Sequence, residues 1–376
     1  MHNRKINICI VSHMAYGALK GGESGHAGGV EFQTSLLAKW LASRGHRVSF
    51  ITWDEGGPKE EIVDGVRVIK LCRSDEGIPG IRFFHPRWTS LIRALNKADA
   101  DIYYHNLGEY VTGQIALWCK LKDRRFVYYV ASDDECSALP LREGRFYDRY
   151  FFIYGLRGSN CLIAQTRRQS KMLLDNYGLQ TKILPMPCTY DIGEEELVPY
   201  AKRKDYVLWI GRISREKRLE WLLNIAKLLP ETRFKVIGKF DPNDSYARSL
   251  IEAVTAIPNV IYHDMVPHGE LPRFYKSAML LCNTSSYEGF PNTFIEAWGF
   301  GMPVVSTFDP DTLIQDRKLG YFVKSPNEIA SAIEKVMNSK TQWYELSSNA
   351  RRYYLTEHKP SVALKKFEAL FRRLHY

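Results

Sequence analysis

The seven cysteines are too dispersed in sequence to form any of the common short zinc-ligand spacings. Cys9, Cys72, Cys119, Cys136, Cys161, Cys188 and Cys282 are scattered, without a single C-x-x-C pair. This excludes the common zinc spacings, and the odd, dispersed count argues against a disulfide framework and for reduced thiols in a cytoplasmic protein. Long hydrophobic runs are also missing. No window approaches the roughly 18 apolar residues of a membrane-spanning helix, and the apolar stretch after Arg4-Lys5 is too short and too soon interrupted by glycines for a signal peptide. Low-complexity segments and short-period repeats are absent. So are a helix-turn-helix pattern and an RNP-type aromatic run, which weighs against nucleic acid. The glycine-rich stretch near the amino terminus has no G-x-G-x-x-G directly after its strand and no Gly-Lys-Ser/Thr, which excludes the dinucleotide fingerprint and the Walker loop.

What is present is an ordinary globular composition, 45% apolar and 25% charged, in 376 residues. That length suits two domains better than one. The net charge of +10 is unevenly placed: residues 1–200 carry 26 Lys/Arg against 23 Asp/Glu, and residues 201–376 carry 26 against 19. The basic excess therefore falls in the second half, although the tail (Lys359, Lys365, Lys366, Arg372 and Arg373 against Glu368) accounts for part of it.

Short apolar runs alternate with amphipathic stretches, the pattern of parallel βαβ units. Strands are predicted at Ile6–Ser12, Arg47–Thr52, Val66–Leu71, Ile102–Tyr104, Phe126–Val130, Cys161–Ala164 and Lys182–Leu184. A second series runs through Tyr206–Ile210, Phe234–Ile237, Val260–Tyr262, Met279–Cys282, Val304–Ser306 and Gly320–Val323. Helices are predicted at Val30–Ser43 and Tyr110–Lys120, and the apolar spacing of Val362, Leu364, Phe367, Leu370, Phe371 and Leu374 predicts one at the carboxyl end. The expected architecture is α/β: two Rossmann-like, doubly wound domains, 1–190 and 205–355, facing across a cleft. Residues 191–204 form the expected linker, and 356–376 a terminal helix.

The chemistry concentrates in Tyr287-Glu288-Gly289-Phe290-Pro291-Asn292-Thr293-Phe294-Ile295-Glu296. Two glutamates bracket a Gly-Phe-Pro turn and the start of an apolar helix. Pro291 suits a first helical turn, where its missing N–H has no partner to lose. A helix amino end offers free donors and about half a positive charge, hence a phosphate site. Carboxylates on either side repel the anion itself, but they suit a ligand with hydroxyls on both sides of its phosphates, such as a nucleotide sugar. An ordinary loop–helix–strand with two solvated glutamates has the same spacing. Upstream, Gly211-Arg212-Ile213-Ser214-Arg215-Glu216-Lys217 follows the first strand of the second half. There Gly211 permits close backbone approach, and Arg212 and Lys217 project at the carboxyl end of a parallel sheet, where ligands bind. Arg215 and Arg218 are expected to be solvated.

With the Glu-x7-Glu of Glu288 and Glu296, the Gly-Arg…Lys of Gly211, Arg212 and Lys217, and Gly301-Met302-Pro303-Val304-Val305, the chain resembles the retaining glycosyltransferases of family 4. The resemblance implies the GT-B fold, with the carboxyl-terminal helix crossing back to the amino-terminal domain. It implies that Arg212 and Lys217 hold the donor diphosphate, that Glu296 binds the ribose and that Glu288 contacts the transferred sugar. Gly289, Phe290, Pro291 and Asn292 shape the loop and present amides to the phosphates. Gly28 and Gly29, within Gly28-Gly29-Val30-Glu31, match the family's Gly-Gly-x-Glu beside donor phosphate and acceptor. The stretch from Gly17 to Gly28 is expected to be a loop that orders on binding. The implied chemistry is same-face transfer from a nucleoside diphosphate sugar, the leaving phosphate taking the acceptor proton, with no bound cofactor and no metal. Asp309-Pro310-Asp311 is therefore read as loop.

One departure stands out. Family members place His-Asp after the fifth strand, where this chain has Ser132-Asp133. Asp133 either meets the acceptor or caps a helix, and His105 or His13 either fills the gap or is structural. The acid-free basic–aromatic run from Arg82 to Lys97 either packs into the core or meets an anionic membrane surface. Expected partners are a nucleotide-sugar donor and a glycan or lipid-linked acceptor, as in surface polysaccharide assembly. An epimerase of the same fold and a non-catalytic sugar-nucleotide or glycan-binding module are the rival readings.

Overall fold

A computed structural model of the protein describes residues 5–21, 28–79, 81–137, 146–203 and 206–375. The chain divides into two compact units, one of residues 1–189 and 363–376, the other of residues 190–362.

The first unit is built on an eight-stranded sheet. Its strands are β1 (Asn7–Val11), β2 (Arg47–Thr52), β3 (Glu60–Val63), β4 (Val66–Lys70), β5 (Ile102–His105), β6 (Arg125–Tyr129), β7 (Cys161–Ala164) and β8 (Lys182–Ile183), in the order β3-β4-β2-β1-β5-β6-β7-β8. All neighbours are parallel except β3 and β4. The interior strands are apolar on both faces because helices cover both, as parallel sheets require. β3 was not anticipated. Its Glu60-Glu61 start reads as solvated loop, but Asp64 and Gly65 both take positive φ, 48° and 78°. An Asp-Gly turn of that kind closes a two-residue hairpin. Charge on the outermost strand also discourages edge-to-edge association.

From Ala363 onward the helix Pro360–His375 belongs to this first unit. Phe367 packs its ring against Tyr129 and Phe371 against Tyr104. Glu368 lies 3.2 Å from His46 Nε2 and accepts from Arg372 at 2.8 Å.

The second unit holds a six-stranded parallel sheet of β9 (Tyr206–Ile210), β10 (Arg233–Ile237), β11 (Val260–His263), β12 (Leu280–Asn283), β13 (Val304–Ser306) and β14 (Gly320–Phe322), in the order β11-β10-β9-β12-β13-β14. The order reverses beside β9, and ligands bind outside the carboxyl ends of strands at such a point. Residues 191–203 are packed into this unit. Arg203 is buried and donates to the carbonyls of Ala278 and Phe300 at 2.6 Å, Val198 at 3.0 Å and Tyr275 at 3.2 Å. Its guanidinium therefore ties several chain segments through their carbonyl groups, a task suited to a flat, multi-donor cation. All seven cysteines are free and buried.

Candidate active site

In the second unit, the residues singled out after β9 and β12 meet. Gly211 follows β9 directly, and the single turn Arg215–Lys217 places Lys217 Nζ 2.5 Å from Glu288 Oε1. Ser285 Oγ donates to the same oxygen at 2.6 Å and Asn283 Nδ2 at 3.3 Å. All three contacts fall on Oε1. Asn283 is itself oriented, its Oδ1 accepting from Ser285 N and Ser306 Oγ. Thr284 Oγ1 locks the two loops together, donating to the Lys217 carbonyl at 2.6 Å and accepting from Trp209 Nε1 at 3.0 Å.

Arg212 is exposed. Arg218, expected in solvent, is instead half-buried. It donates to Thr284 O at 2.7 Å, Ser285 O at 3.0 Å and Thr307 Oγ1 at 2.9 Å, with its guanidinium over the Trp221 ring. Its left-handed backbone, φ 48°, turns the chain from the Lys217 turn into the helix Leu219–Leu228 and aims the side chain inward. Arg215 lies exposed over the Tyr246 ring.

The helix after the Gly-Phe-Pro turn runs from Asn292 to Gly299, with Pro291 as its N-cap rather than its first helical residue. Gly289 carries the chain from Glu288 into the turn, and Phe290 is a packing residue, its ring against His358 and Trp298. Glu296 is 5% exposed. Tyr275 OH donates to its Oε2 at 2.6 Å, and His268 Nε2 stands 3.8 Å from Oε1. His268 is in turn stacked on Tyr190, whose hydroxyl donates to the His268 carbonyl. No motif marks Tyr275, His268, Ser285 or Asn283. Their part in the site depends on tertiary pairing. Gly238 was also missed: a Cβ there would stand 1.9 Å from the Gly211 carbonyl oxygen, so only glycine lets the end of β10 pass the Gly211 loop. Asp309 accepts from the backbone amides of Ile314 and Gln315, capping the short helix Leu313–Asp316.

The first unit gathers another set of polar residues at the carboxyl ends of β1, β5 and β6. Glu109 Oε1 lies 3.0 Å from His13 Nδ1 and 3.8 Å from His105 Nε2. Burial pushes the Glu109 carboxyl up, but the two imidazoles outweigh it and hold the group below its ordinary value. His105 is fully enclosed, and burial brings it down to about 4, so it is neutral near pH 7. Its Nδ1 lies 2.8 Å from the Val11 carbonyl and must carry the proton there. His105 is thus buried, with Nε2 turned toward Glu109.

Asp133 opens the helix Asp133–Cys136 after the N-cap Ser132 and is therefore not itself the cap. It pairs with Arg168 at 3.3 Å and accepts from Gln169 at 3.1 Å. The deeper carboxyl is Glu135, two residues on. It accepts from Tyr128 OH at 2.8 Å and Ala131 N at 3.1 Å, and burial raises it to about 7. Gly28 caps the helix Gly29–Ser43, its amide donating to Glu31 Oε2 at 2.9 Å. The expected loop before it holds a short helix, Tyr16–Lys20, and its residues 22–27 lie outside the described residues.

Two family models match consecutive parts of the chain: Glycosyltransferase Family 4 over residues 27–194 and Glycosyl transferases group 1 over residues 204–339. The GtfA subunit of a UDP-N-acetylglucosamine–peptide N-acetylglucosaminyltransferase from Streptococcus agalactiae is 26% identical over 233 residues, which is 57% of this chain and 44% of that protein. The chain thus matches less than half the length of that relative. The amylovoran biosynthesis glycosyltransferase AmsD of Erwinia amylovora is 26% identical over 225 residues, 57% of this chain and 62% of that one. Among solved structures, sucrose-phosphate synthase from Thermosynechococcus elongatus superimposes with a TM-score of 0.77 at 19% identity, covering 99% of both chains. Two parallel α/β units with this likeness are the GT-B fold, and the two matched models together place the chain in glycosyltransferase family 4, the group 1 glycosyl transferases.

Proposed function

We propose that the protein is a retaining glycosyltransferase that moves a sugar from a nucleoside diphosphate donor to a glycan or lipid-linked acceptor in surface polysaccharide assembly. The observation that carries this reading is the Lys217–Glu288 pair with Ser285 and Asn283 at the carboxyl ends of β9 and β12, eight residues before the enclosed Glu296. Lys217, the exposed Arg212 and the amino end of the helix Asn292–Gly299 supply positive charge where the departing diphosphate becomes more negative. That field is the reason to propose transfer without a metal ion. Glu288 Oε2 accepts a hydroxyl of the transferred sugar, and Glu296 accepts the ribose hydroxyls while Tyr275 steadies its other oxygen. Attack on the same face as departure, with the leaving phosphate taking the acceptor proton, accounts for retention without an enzymic nucleophile. A uridine nucleotide is the donor class favoured by the name of the GtfA relative, and polysaccharide assembly is favoured by that of AmsD.

The acceptor side is proposed to approach an anionic membrane through residues 82–97, with Ile78 and Ile81 beside them. Ile78, Ile81 and Phe84 are 69%, 59% and 58% exposed, and the segment bears Arg82, Arg87, Arg93 and Lys97 without an acid. Apolar groups beside cations suit an anionic bilayer surface. No described helix is long and apolar enough to cross a membrane.

The decisive experiment is thermal-shift binding of UDP-, GDP- and ADP-sugars to wild type, Lys217→Ala and Glu296→Ala. Ligand at a hundredfold excess over Kd stabilises by about 2.7 kcal/mol. Stabilisation by one nucleotide class, lost in both variants and unaffected by EDTA, is the expected result. No stabilisation by any donor, with folded protein, overturns the reading.

A further inference from the structure

The single turn Arg215–Lys217 and residues 284–288 are joined residue by residue. The Glu216 carbonyl accepts from Ser286 N at 2.8 Å and from Ser286 Oγ at 3.1 Å. The Lys217 carbonyl accepts from Thr284 Oγ1 at 2.6 Å. Arg218 continues the series, donating through Nε to Thr284 O at 2.7 Å and through Nη2 to Ser285 O at 3.0 Å. Consecutive residues 216–218 thus grip consecutive residues 284–286. Nη2 also donates to Thr307 Oγ1 at 2.9 Å, and that hydroxyl donates in turn to Ser285 O at 2.8 Å. One guanidinium therefore ties the turn after β9 to the loop after β12 and to the residue following β13, with the Trp221 ring centroid 4.0 Å behind it.

The backbone of Arg218 takes φ 48°, a left-handed conformation that glycine adopts freely and other residues adopt at a cost. A position suited to glycine is held here by arginine, and the hydrogen bonds of its side chain offset the strain. Ser285 is where that grip reaches the chemistry. Its carbonyl accepts from both Arg218 and Thr307, its amide donates to Asn283 Oδ1 at 3.1 Å, and its Oγ donates to Glu288 Oε1 at 2.6 Å. A shift of Ser285 therefore carries with it a donor that holds Glu288 against Lys217. The other carboxylate of the site is held separately, by Tyr275 OH on Glu296 Oε2.

We propose that Arg218 is a positioning residue for the sugar end of the donor site: by fixing Ser285 it preorganises Glu288 against Lys217, and so sets how strongly the transferred sugar is recognised apart from its nucleotide. The role of Glu288 toward the sugar rests on the proposed transfer reaction; the grip of Arg218 on Ser285 does not. A lysine at this position is expected to fail, because one point charge cannot replace the forked donors that reach Thr284, Ser285 and Thr307 together.

The test compares wild type with Arg218→Gly, which suits the backbone, Arg218→Lys, which keeps the charge, and Thr307→Val, which removes one arm of the grip. In each background the coupling between Lys217→Met and Glu288→Gln is read by urea unfolding. Calorimetry then measures UDP against UDP-N-acetylglucosamine, with GDP and GDP-mannose in parallel. Expected is loss of the coupling in both Arg218 variants and a partial loss in Thr307→Val. The ratio of nucleotide-sugar to bare-nucleotide affinity is expected to fall about tenfold, the scale of one charge-assisted hydrogen bond, with bare-nucleotide affinity unchanged. Undiminished coupling in Arg218→Gly overturns the proposal, as does an equal loss of affinity for nucleotide and nucleotide sugar. Wild type that binds neither nucleotide class, with the coupling lost in Arg218→Gly, removes the transfer reading and supports the positioning role. Should the Arg218 variants not fold, Thr307→Val decides alone.

Discussion

Lys217 Nζ meets Glu288 Oε1 at 2.5 Å across 71 residues of sequence, and the pair is largely enclosed, with side-chain exposures of 20% and 13%. Lys217→Met leaves Glu288 without its cation, and Glu288→Gln leaves Lys217 without its anion. Each is expected to lower stability by about 1–3 kcal/mol, and the double variant by less than the sum. Urea unfolding of the four proteins measures the coupling. Strict additivity would show that the contact contributes nothing.

The close pass of Gly238 and the Gly211 carbonyl gives a sharper steric prediction. Gly238→Ala is expected to cost about 1–3 kcal/mol, as overpacking does, and to weaken nucleotide binding because the Gly211 loop must move. Gly269→Ala is the control, since a Cβ there has nothing within 4 Å. It is expected to stay within about 0.5 kcal/mol of wild type. Equal effects of the two in denaturant titrations would contradict the steric account.

Arg203 is expected to be irreplaceable by lysine. A lysine supplies one point charge where the guanidinium reaches four carbonyls. Arg203→Lys and Arg203→Met are both expected to lose at least about 3 kcal/mol, read as a fall in urea midpoint at constant m-value. Full rescue by lysine would mean that charge alone matters there.

Two buried groups in the first unit oppose each other in pH. His105 falls from 6.5 to about 4 on folding, so between those values the unfolded chain holds the extra proton and stability rises with pH. Glu135 rises from 4.5 to about 7, so the folded chain holds the extra proton and stability falls with pH. Each effect amounts to about 3 kcal/mol at full extent, and their slopes cancel between about pH 4.5 and 6.5. Relative to wild type, Glu135→Gln is expected to add a rising slope in that window and His105→Asn a falling one. Unchanged slopes in both variants, measured by urea midpoints at stepped pH, would refute the opposition.

The interior strands were legible because a strand buried on both faces must be an apolar run. β3 was not, because its outer position lets it keep glutamates, and only the Asp64-Gly65 turn betrays it. Glu288, Glu296, Arg212 and Lys217 were singled out by spacing together with the family resemblance, and the structure brings Lys217 to Glu288. The groups that orient Glu288 and the loop behind it were not: Arg218 reaches Thr284 and Thr307 across 66 and 89 residues, distances at which sequence carries no periodic trace. His13 and Glu109 approach only because β1 and β5 are neighbours in the sheet. His105 looked available because it ends a strand. Strand ends in a parallel sheet are also where loops fold over, and there His105 is buried.

The enclosed thiols have a practical consequence. Burial raises Cys9, Cys119, Cys136, Cys161 and Cys282 above their ordinary values, and only the thiolate reacts readily with alkylating agents. The protein is therefore already a quiet background for site-directed labelling. A single cysteine introduced at an exposed position such as Lys171 or Lys365 would take a fluorophore or spin label near neutral pH ahead of the seven native thiols, all of which are buried.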